Sequence, residues 1–123
     1  MLFSMFNKQT GNYGEDLACE YLTKQGYKLL QRNFRIRGGE IDIVAMDGET
    51  LVFVEVKARW SHEYGPPAES MTSWKIKYLV KTAQFYVLKI GWGNKEYRLD
   101  FISIDFADDR DNPKIELIKN ITM

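Results

Sequence analysis

The run Leu51-Val52-Phe53-Val54-Glu55-Val56-Lys57 constrains the fold more than any other stretch of the chain. It is β-branched or aromatic at most positions, a composition that suits a pleated surface. It is also apolar on both of its faces, which asks for a central strand covered from both sides. Side chains alternate along a strand. Val52, Val54 and Val56 therefore share one face, and Phe53, Glu55 and Lys57 share the other. A Glu and a Lys at the end of such a strand are unfavourable to bury unless paired or ligated. Just before it, Glu40 to Met46 reads as a second strand, and Asp47-Gly48 between the two apolar runs is a strong hairpin signal.

Register decides what the second strand contributes. With Asp47-Gly48 as the loop, Met46 lies opposite Glu49, Asp42 opposite Phe53 and Glu40 opposite Glu55. Asp42 then points to the same face as Glu55 and Lys57, whereas a three-residue loop would turn it away. Carboxylates that face each other repel, and one tends to take up a proton. A hard dication removes that conflict. Mg²⁺ suits one or two carboxylates, with waters and a substrate phosphate completing its octahedron. Lys57, one pleat beyond Glu55, could hold an attacking water or stabilise charge on a phosphate. The plainer alternative is a surface hairpin with an ordinary Glu-Lys pair, since a lone Glu-x-Lys triplet often arises by accident. The paired strand, the shared face and the apolar context favour the site.

Around this hairpin the pattern reads α-β-β-β-α-β-β. A helix from about Gly11 to Gln25 has Thr10 or Asn12 as cap candidates, an apolar stripe of Leu17, Ala18, Tyr21 and Leu22, and Gly26 as its stop. Tyr27 to Phe34 is a strand, broken by Gly38-Gly39. After the hairpin, Ser61 to Pro67 is a loop. A helix over Thr72 to Leu88 repeats Ile76, Leu79, Val80, Ala83 and Val87 on one face, and Gly91 and Gly93 end it. Tyr97 to Ile104 and Lys114 to Ile118 are strands, separated by an acidic turn. The expected fold class is α/β, one mixed sheet flanked by helices, in a single domain over residues 1–123.

Two more charged residues attract notice. Glu15 is in line with Ala18 and Leu22, beside the apolar stripe, while Asp16, Glu20 and Lys24 are expected on the polar back. Glu15 could therefore join the acids of the hairpin, or simply stabilise the first turn through the helix dipole. Lys75 lies in the first turn of the second helix, where a cation opposes the dipole. It could reach a phosphate there, or be solvated.

The 17 basic and 17 acidic residues balance, so bulk electrostatics do not make this a nucleic-acid coat protein. The charge is nonetheless uneven. Arg32, Arg35 and Arg37 cluster, as do Lys57, Arg59, Lys75, Lys77 and Lys81, and the acids gather at Asp105 to Asp111. No stretch is long and apolar enough to span a bilayer, and Met1 to Phe6 is too short and lacks the flanks of a signal peptide. The single cysteine, Cys19, excludes an internal disulfide and suits a reducing compartment. A cytoplasmic protein with no membrane partner is expected.

Gly14-Glu15 on the first helix, Gly39-Glu40-Ile41-Asp42, and Val52-Phe53-Val54-Glu55-Val56-Lys57-Ala58-Arg59 resemble the YraN-like bacterial proteins, which have a restriction-endonuclease-like fold of the PD-(D/E)XK type. Gly65, Lys75 and Arg98-Leu99-Asp100-Phe101 also look like positions of that family, and the similarity covers Gly11 to Ile104. The family is similar in its core to archaeal Holliday-junction resolvases. The resemblance implies metal-site acids at Glu15, Asp42 and Glu55, a catalytic lysine at Lys57, and Mg²⁺ or Mn²⁺ as cofactor. The usual chemistry of such sites is hydrolysis of DNA phosphodiesters by a metal-activated water. Ile41 stands where the superfamily name has a proline. By the same analogy a homodimer fits, because a junction resolvase cuts two strands. A fold of this kind does not by itself establish the activity.

The expected DNA contacts are Lys75, Arg59, Lys77 and Arg37. The alternative is a catalytically silent nucleic-acid-binding module on the same fold; a scaffold for a protein partner is a third reading. Trp60, Tyr64 and Trp74 flank the expected site and could stack on bases, although packing is the commoner use of such rings. His62 reads as a solvated loop residue, and Cys19 as a small helix residue rather than a nucleophile.

Overall fold

The computed structural model, which describes residues 13–63, 65 and 70–122, runs α1 (Tyr13–Lys24), β1 (Lys28–Ile36), β2 (Gly39–Asp47), β3 (Thr50–Arg59), α2 (Ser73–Ile90), β4 (Tyr97–Asp105) and β5 (Lys114–Ile118). The expected order of elements and mixed sheet are both present. The cap candidates Thr10 and Asn12 lie outside the described residues.

The five strands join in the order β1-β2-β3-β4-β5. β3 is central, antiparallel to β2 and parallel to β4. A parallel neighbour needs a crossover, and α2 supplies it. Leu51, Val52, Phe53 and Val54 are all buried because both faces of β3 are covered. On one face Ala18, Cys19 and Leu22 of α1 share a core with Val52, Val54, Ile102 and Ile104. On the other, Leu79, Ala83, Tyr86 and Val87 of α2 share a core with Val44, Leu51, Phe53 and Leu99. Each fully buried large apolar side chain contributes roughly 1.5–3 kcal/mol, so this two-sided cover is what holds β3 in the middle.

Local chemistry places both helices against the hairpin. α1 stops where Gly26 takes φ 93°, with its N–H on the Thr23 carbonyl and the Tyr27 N–H on the Leu22 carbonyl. This paired closure needs a left-handed residue. At the other end of α1, a Cβ on Gly14 would lie 3.0 Å from the Ala58 Cβ, so glycine lets the first turn sit close on β3. α2 begins at Thr72, whose hydroxyl accepts the Lys75 N–H, and ends at the left-handed Gly91. A Cβ on Gly39 would run into the Thr82 hydroxyl, so α2 also lies close on the start of β2. No helix among the described residues is long and apolar enough to cross a membrane.

Two expectations need correction. The hairpin loop is Gly48-Glu49, closed by Asp47 opposite Thr50, so Val44 rather than Asp42 faces Phe53. Gly48 has φ 60° and Glu49 has no positive φ. A glycine at the first loop position is what a type II′ turn requires. The slip is two residues, and an even slip leaves every side chain on its expected face. Asp16, expected on the polar back of α1, is 1% exposed. Arg32 of β1 reaches under the helix and pairs with it at 2.8 Å.

Candidate metal and nucleic-acid site

The β2–β3 ladder runs from Asp47↔Thr50 to Ile43↔Val54 and stops. Beyond that point β2 stays with β1 as far as Gly39, while β3 stays with β4 as far as Arg59. The two central strands part, and Asp42 and Glu55 are the first residues past the fork. Both project on the α2 side, continuing the rows of Val44 and Phe53. The Asp42 Oδ2 accepts the Val56 N–H at 2.8 Å, serving a main-chain donor after the ladder has ended.

The electrostatics of the fork follow from this packing. Burial pushes the Asp42 carboxyl far above the usual carboxylate range. The charge of Glu55 and a hydrogen bond to it push the same way, against the pull of the Val56 N–H. Glu55 is met from α2 by the Lys75 ammonium, 3.1 Å from its Oε2. The Thr72 cap fixes where α2 starts and so puts Lys75 in the first turn, over the fork. Lys57 is partly buried one pleat beyond Glu55 on the same face, and Arg59 stands one pleat further. The Arg59 Nε is buried with no hydrogen-bond partner among the described residues.

Asp42, Glu55, Lys57 and Lys75 are thus brought to one place. Glu15 stands at the margin. Its carboxylate is 3.3 Å from the Arg32 guanidinium. Burial, opposed by Arg32, raises its pKa, and its charge adds to the push on Asp42. Among the described residues no three acids, histidines or cysteines are close enough together to form a ready-made metal cage. Glu40, expected opposite Glu55, is outside the cluster and pairs with Arg35 at 2.7 Å. Lys77 and Lys81 are exposed on α2, and Arg37 is exposed at the tip joining β1 to β2.

The aromatic candidates divide. Trp60 lies flat on Phe106 with ring centroids 3.9 Å apart, under the Arg110 guanidinium. Trp74, beside Lys75, is 72% exposed. Tyr64 lies outside the described residues. His62 bonds Asp105 at 2.6 Å, and that hydrogen bond holds its pKa above the ordinary value. Cys19 is buried and its thiol is pushed up to about 11, so it is no nucleophile at neutral pH. Two surface hollows, around Trp92 and Lys95, lie toward the hairpin-loop end of the sheet rather than at the fork.

Sequence reasoning missed a second charged centre. Asp100 of β4 is fully buried. It accepts hydrogen bonds from Arg98 Nε at 2.9 Å, from the Tyr27 hydroxyl at 2.9 Å and from the Asn120 N–H at 3.0 Å. Arg98 also reaches Asp47 at 2.6 Å. The alternation Arg98-x-Asp100 was the one local sign of it.

Residues 14–104 match the profile of the family described as Uncharacterised protein family UPF0102. A UPF0102 protein of Geobacter metallireducens is 50% identical over 117 residues, which is 95% of this chain and 94% of that one. One from Dehalococcoides mccartyi is 46% identical over 113 residues, covering 92% of each chain. One from Persephonella marina is 51% identical over 100 residues, covering 81% of this chain and 86% of its own. The matched span contains the whole fork.

Proposed function

The chain belongs to the UPF0102 family, and from the fork in its sheet we propose that it is a metal-dependent endonuclease of the restriction-endonuclease-like type, hydrolysing DNA phosphodiester bonds, with branched or damaged DNA as its substrate class. The observation that carries this reading is the meeting of Asp42 and Glu55 where β2 and β3 part, with Lys57 one pleat on. Two facing carboxylates, one pushed toward its neutral form by burial and then by the charge of the other, are a donor set that Mg²⁺ or Mn²⁺ fits. Hard oxygen ligands suit these ions, and one or two carboxylates are the usual protein share. Asp42 and Glu55 would hold the ion, with Glu15 a near neighbour. When bound, a dication supplies Lewis-acid polarisation of a phosphoryl oxygen and a water of lowered pKa. The chain's own part is positional. Lys57 would orient the attacking water or offset the charge growing on the phosphate. Lys75, Lys77, Arg59 and Arg37 would hold the phosphate backbone, with Trp74 exposed beside them for stacking. In this reading the protein works in the cytoplasm, and as a homodimer if its substrate is a four-way junction.

The test is cleavage of single-stranded, duplex, flap and four-way-junction DNA in Mg²⁺ or Mn²⁺, with Asp42→Ala run alongside. Cleavage by the wild type and a loss of at least about a hundredfold in the variant are expected. Cleavage unchanged by both Asp42→Ala and Glu55→Ala would sink the proposal.

A second reading has one observation in its favour. Lys75 already neutralises Glu55, and Asp42 can hold its own proton, so the fork is tolerable without an ion. A silent nucleic-acid-binding module would then use the same cationic surface. It predicts salt-sensitive DNA binding that is indifferent to Mg²⁺ and lost when Lys75, Lys77 and Lys81 are neutralised.

A further inference from the structure

We infer that Lys75 is the resident counter-ion of the fork and competes with a divalent metal for Glu55, so that loading the metal releases the lysine to the nucleic acid. This rests on the reading of the fork as a metal site and adds a coupling within it. A lysine in the first turn of a helix opposes the dipole and would ordinarily extend into water. Lys75 turns back instead, and its side chain is 34% exposed against 11% for Glu55, at an Nζ–Oε2 distance of 3.1 Å. Helix α2 contains no acidic residue, so no neighbour along the helix competes for the ammonium. Asp42 and Glu55 together offer four carboxylate oxygens, and the ammonium pairs with the Glu55 Oε2.

A dication taking Glu55 would repel the ammonium across a short distance. The lysine stem is flexible and makes a point contact rather than a bidentate one, so little holds it there once Glu55 is engaged. Lys75 is itself part exposed, and its helix neighbours Trp74 and Lys77 are exposed, so a released ammonium has solvent and phosphate within reach. Lys75 is therefore a positioning residue whose availability to phosphate is set by metal at Glu55. One consequence is that metal raises affinity for DNA beyond what screening allows.

The experiment is titration of the chelator-stripped full chain with Mn²⁺ by calorimetry, comparing wild type with Lys75→Met, Lys77→Met and Glu55→Gln, each checked for an unchanged melting profile. Lys75→Met should bind Mn²⁺ roughly five- to tenfold more tightly, the scale of one partly buried ion pair. Lys77→Met, which removes the same charge without touching Glu55, should change affinity less than about twofold, and Glu55→Gln should abolish binding. A second readout uses brief amine acetylation followed by mass spectrometry. Mn²⁺ should increase labelling of Lys75 relative to Lys77. Unchanged Mn²⁺ affinity in Lys75→Met, with binding lost in Glu55→Gln, would overturn the competition and leave the metal site standing. No Mn²⁺ binding by wild type or Lys75→Met would overturn both.

Discussion

The sheet holds two inward-facing carboxylates, buried Asp100 and half-buried Asp42, in opposite circumstances. Asp100 is wholly enclosed and fully answered, by Arg98, Tyr27 and the Asn120 N–H. Its outer members are Asp47 and Lys119, 3.6 Å apart, so the centre carries two acids and two bases and closes on itself. The Asp100 and Asp47 carboxylates hold Arg98 above its ordinary pKa despite burial, and Arg98 in turn holds Asp47 below its own. Asp42 faces another acid, Glu55, whose charge adds to burial in raising its pKa. One ammonium, that of Lys75, pairs with Glu55. Burial of a charge is therefore no sign of a site in this molecule. What separates the two centres is whether each acid is balanced by pairing with a cation. Asp100 and Asp47 each pair with Arg98, whereas among the described residues Lys75 pairs with Glu55 alone and Asp42 is left facing that acid.

The largest expected effect tests the balanced side. Asp100→Ala would leave Arg98 and the Tyr27 hydroxyl without their shared acceptor, inside a centre that joins β4 to Tyr27, just before β1, and to Asn120, two residues past β5. Breaking a buried pair from one side costs about 3–5 kcal/mol. Urea unfolding should show a loss of that size with no separate effect on Mn²⁺ binding. A loss under about 1 kcal/mol would mean that the closed network is not what supports this end of the sheet.

Asp42→Asn should go the other way. A carboxyl whose pKa is raised by folding binds its proton more tightly in the native chain than in the unfolded one. Its stability contribution is complete below the ordinary carboxylate range and is lost as pH climbs from about 4 across neutrality. Without metal, wild-type stability should therefore fall over that window through Asp42. Asp42→Asn should flatten the slope and gain on the order of 1–2 kcal/mol at pH 8. Mn²⁺ should stabilise the wild type and leave the variant unmoved. Unfolding curves at pH 5, 7 and 8 with and without Mn²⁺ decide it, and a destabilised Asp42→Asn protein at pH 8 would place the fork with the balanced centres.

Much of this was legible in the chain. The run Leu51 to Val54 announced a central strand because it is apolar on both faces, and it is buried on both. The order of elements followed from glycine punctuation and the two periodicities. Asp42 and Glu55 share a face in the expected register and in the observed one, because Gly48 rather than Asp47 opens the turn and a slip of two preserves parity. The fork itself was not legible. Nothing in Ile43-Asp42 or Val54-Glu55 says that the ladder stops between them, since pairing ends where outer partners draw the strands apart. Nor could the sequence reveal that Arg32 reaches under α1 to bury Asp16, or that Tyr27 meets Asp100 from 73 positions away. Such contacts depend on which elements become neighbours, and a one-dimensional pattern carries little of that.

The smallest expected effect sharpens the comparison most, because one strand carries both kinds of acid. Asp47 closes β2 at the end where Arg98 and Lys119 wait, and Asp42 lies five residues back at the fork. The Asp47 carboxyl is held low by Arg98. The stability it supplies is present above the ordinary carboxylate range and lost as pH falls through its depressed value, the reverse of Asp42. It is 32% exposed, so solvent screens it, and Asp47→Asn should cost at most about 1 kcal/mol at pH 7 and less in high salt. Five residues of strand separate the two by roughly 17 Å, a distance at which effects add. The double variant should therefore lose both pH slopes independently. If its stability departed from the sum of the single variants by more than about 0.5 kcal/mol, the fork and the closed network would be coupled through β2, and the division between them would fail.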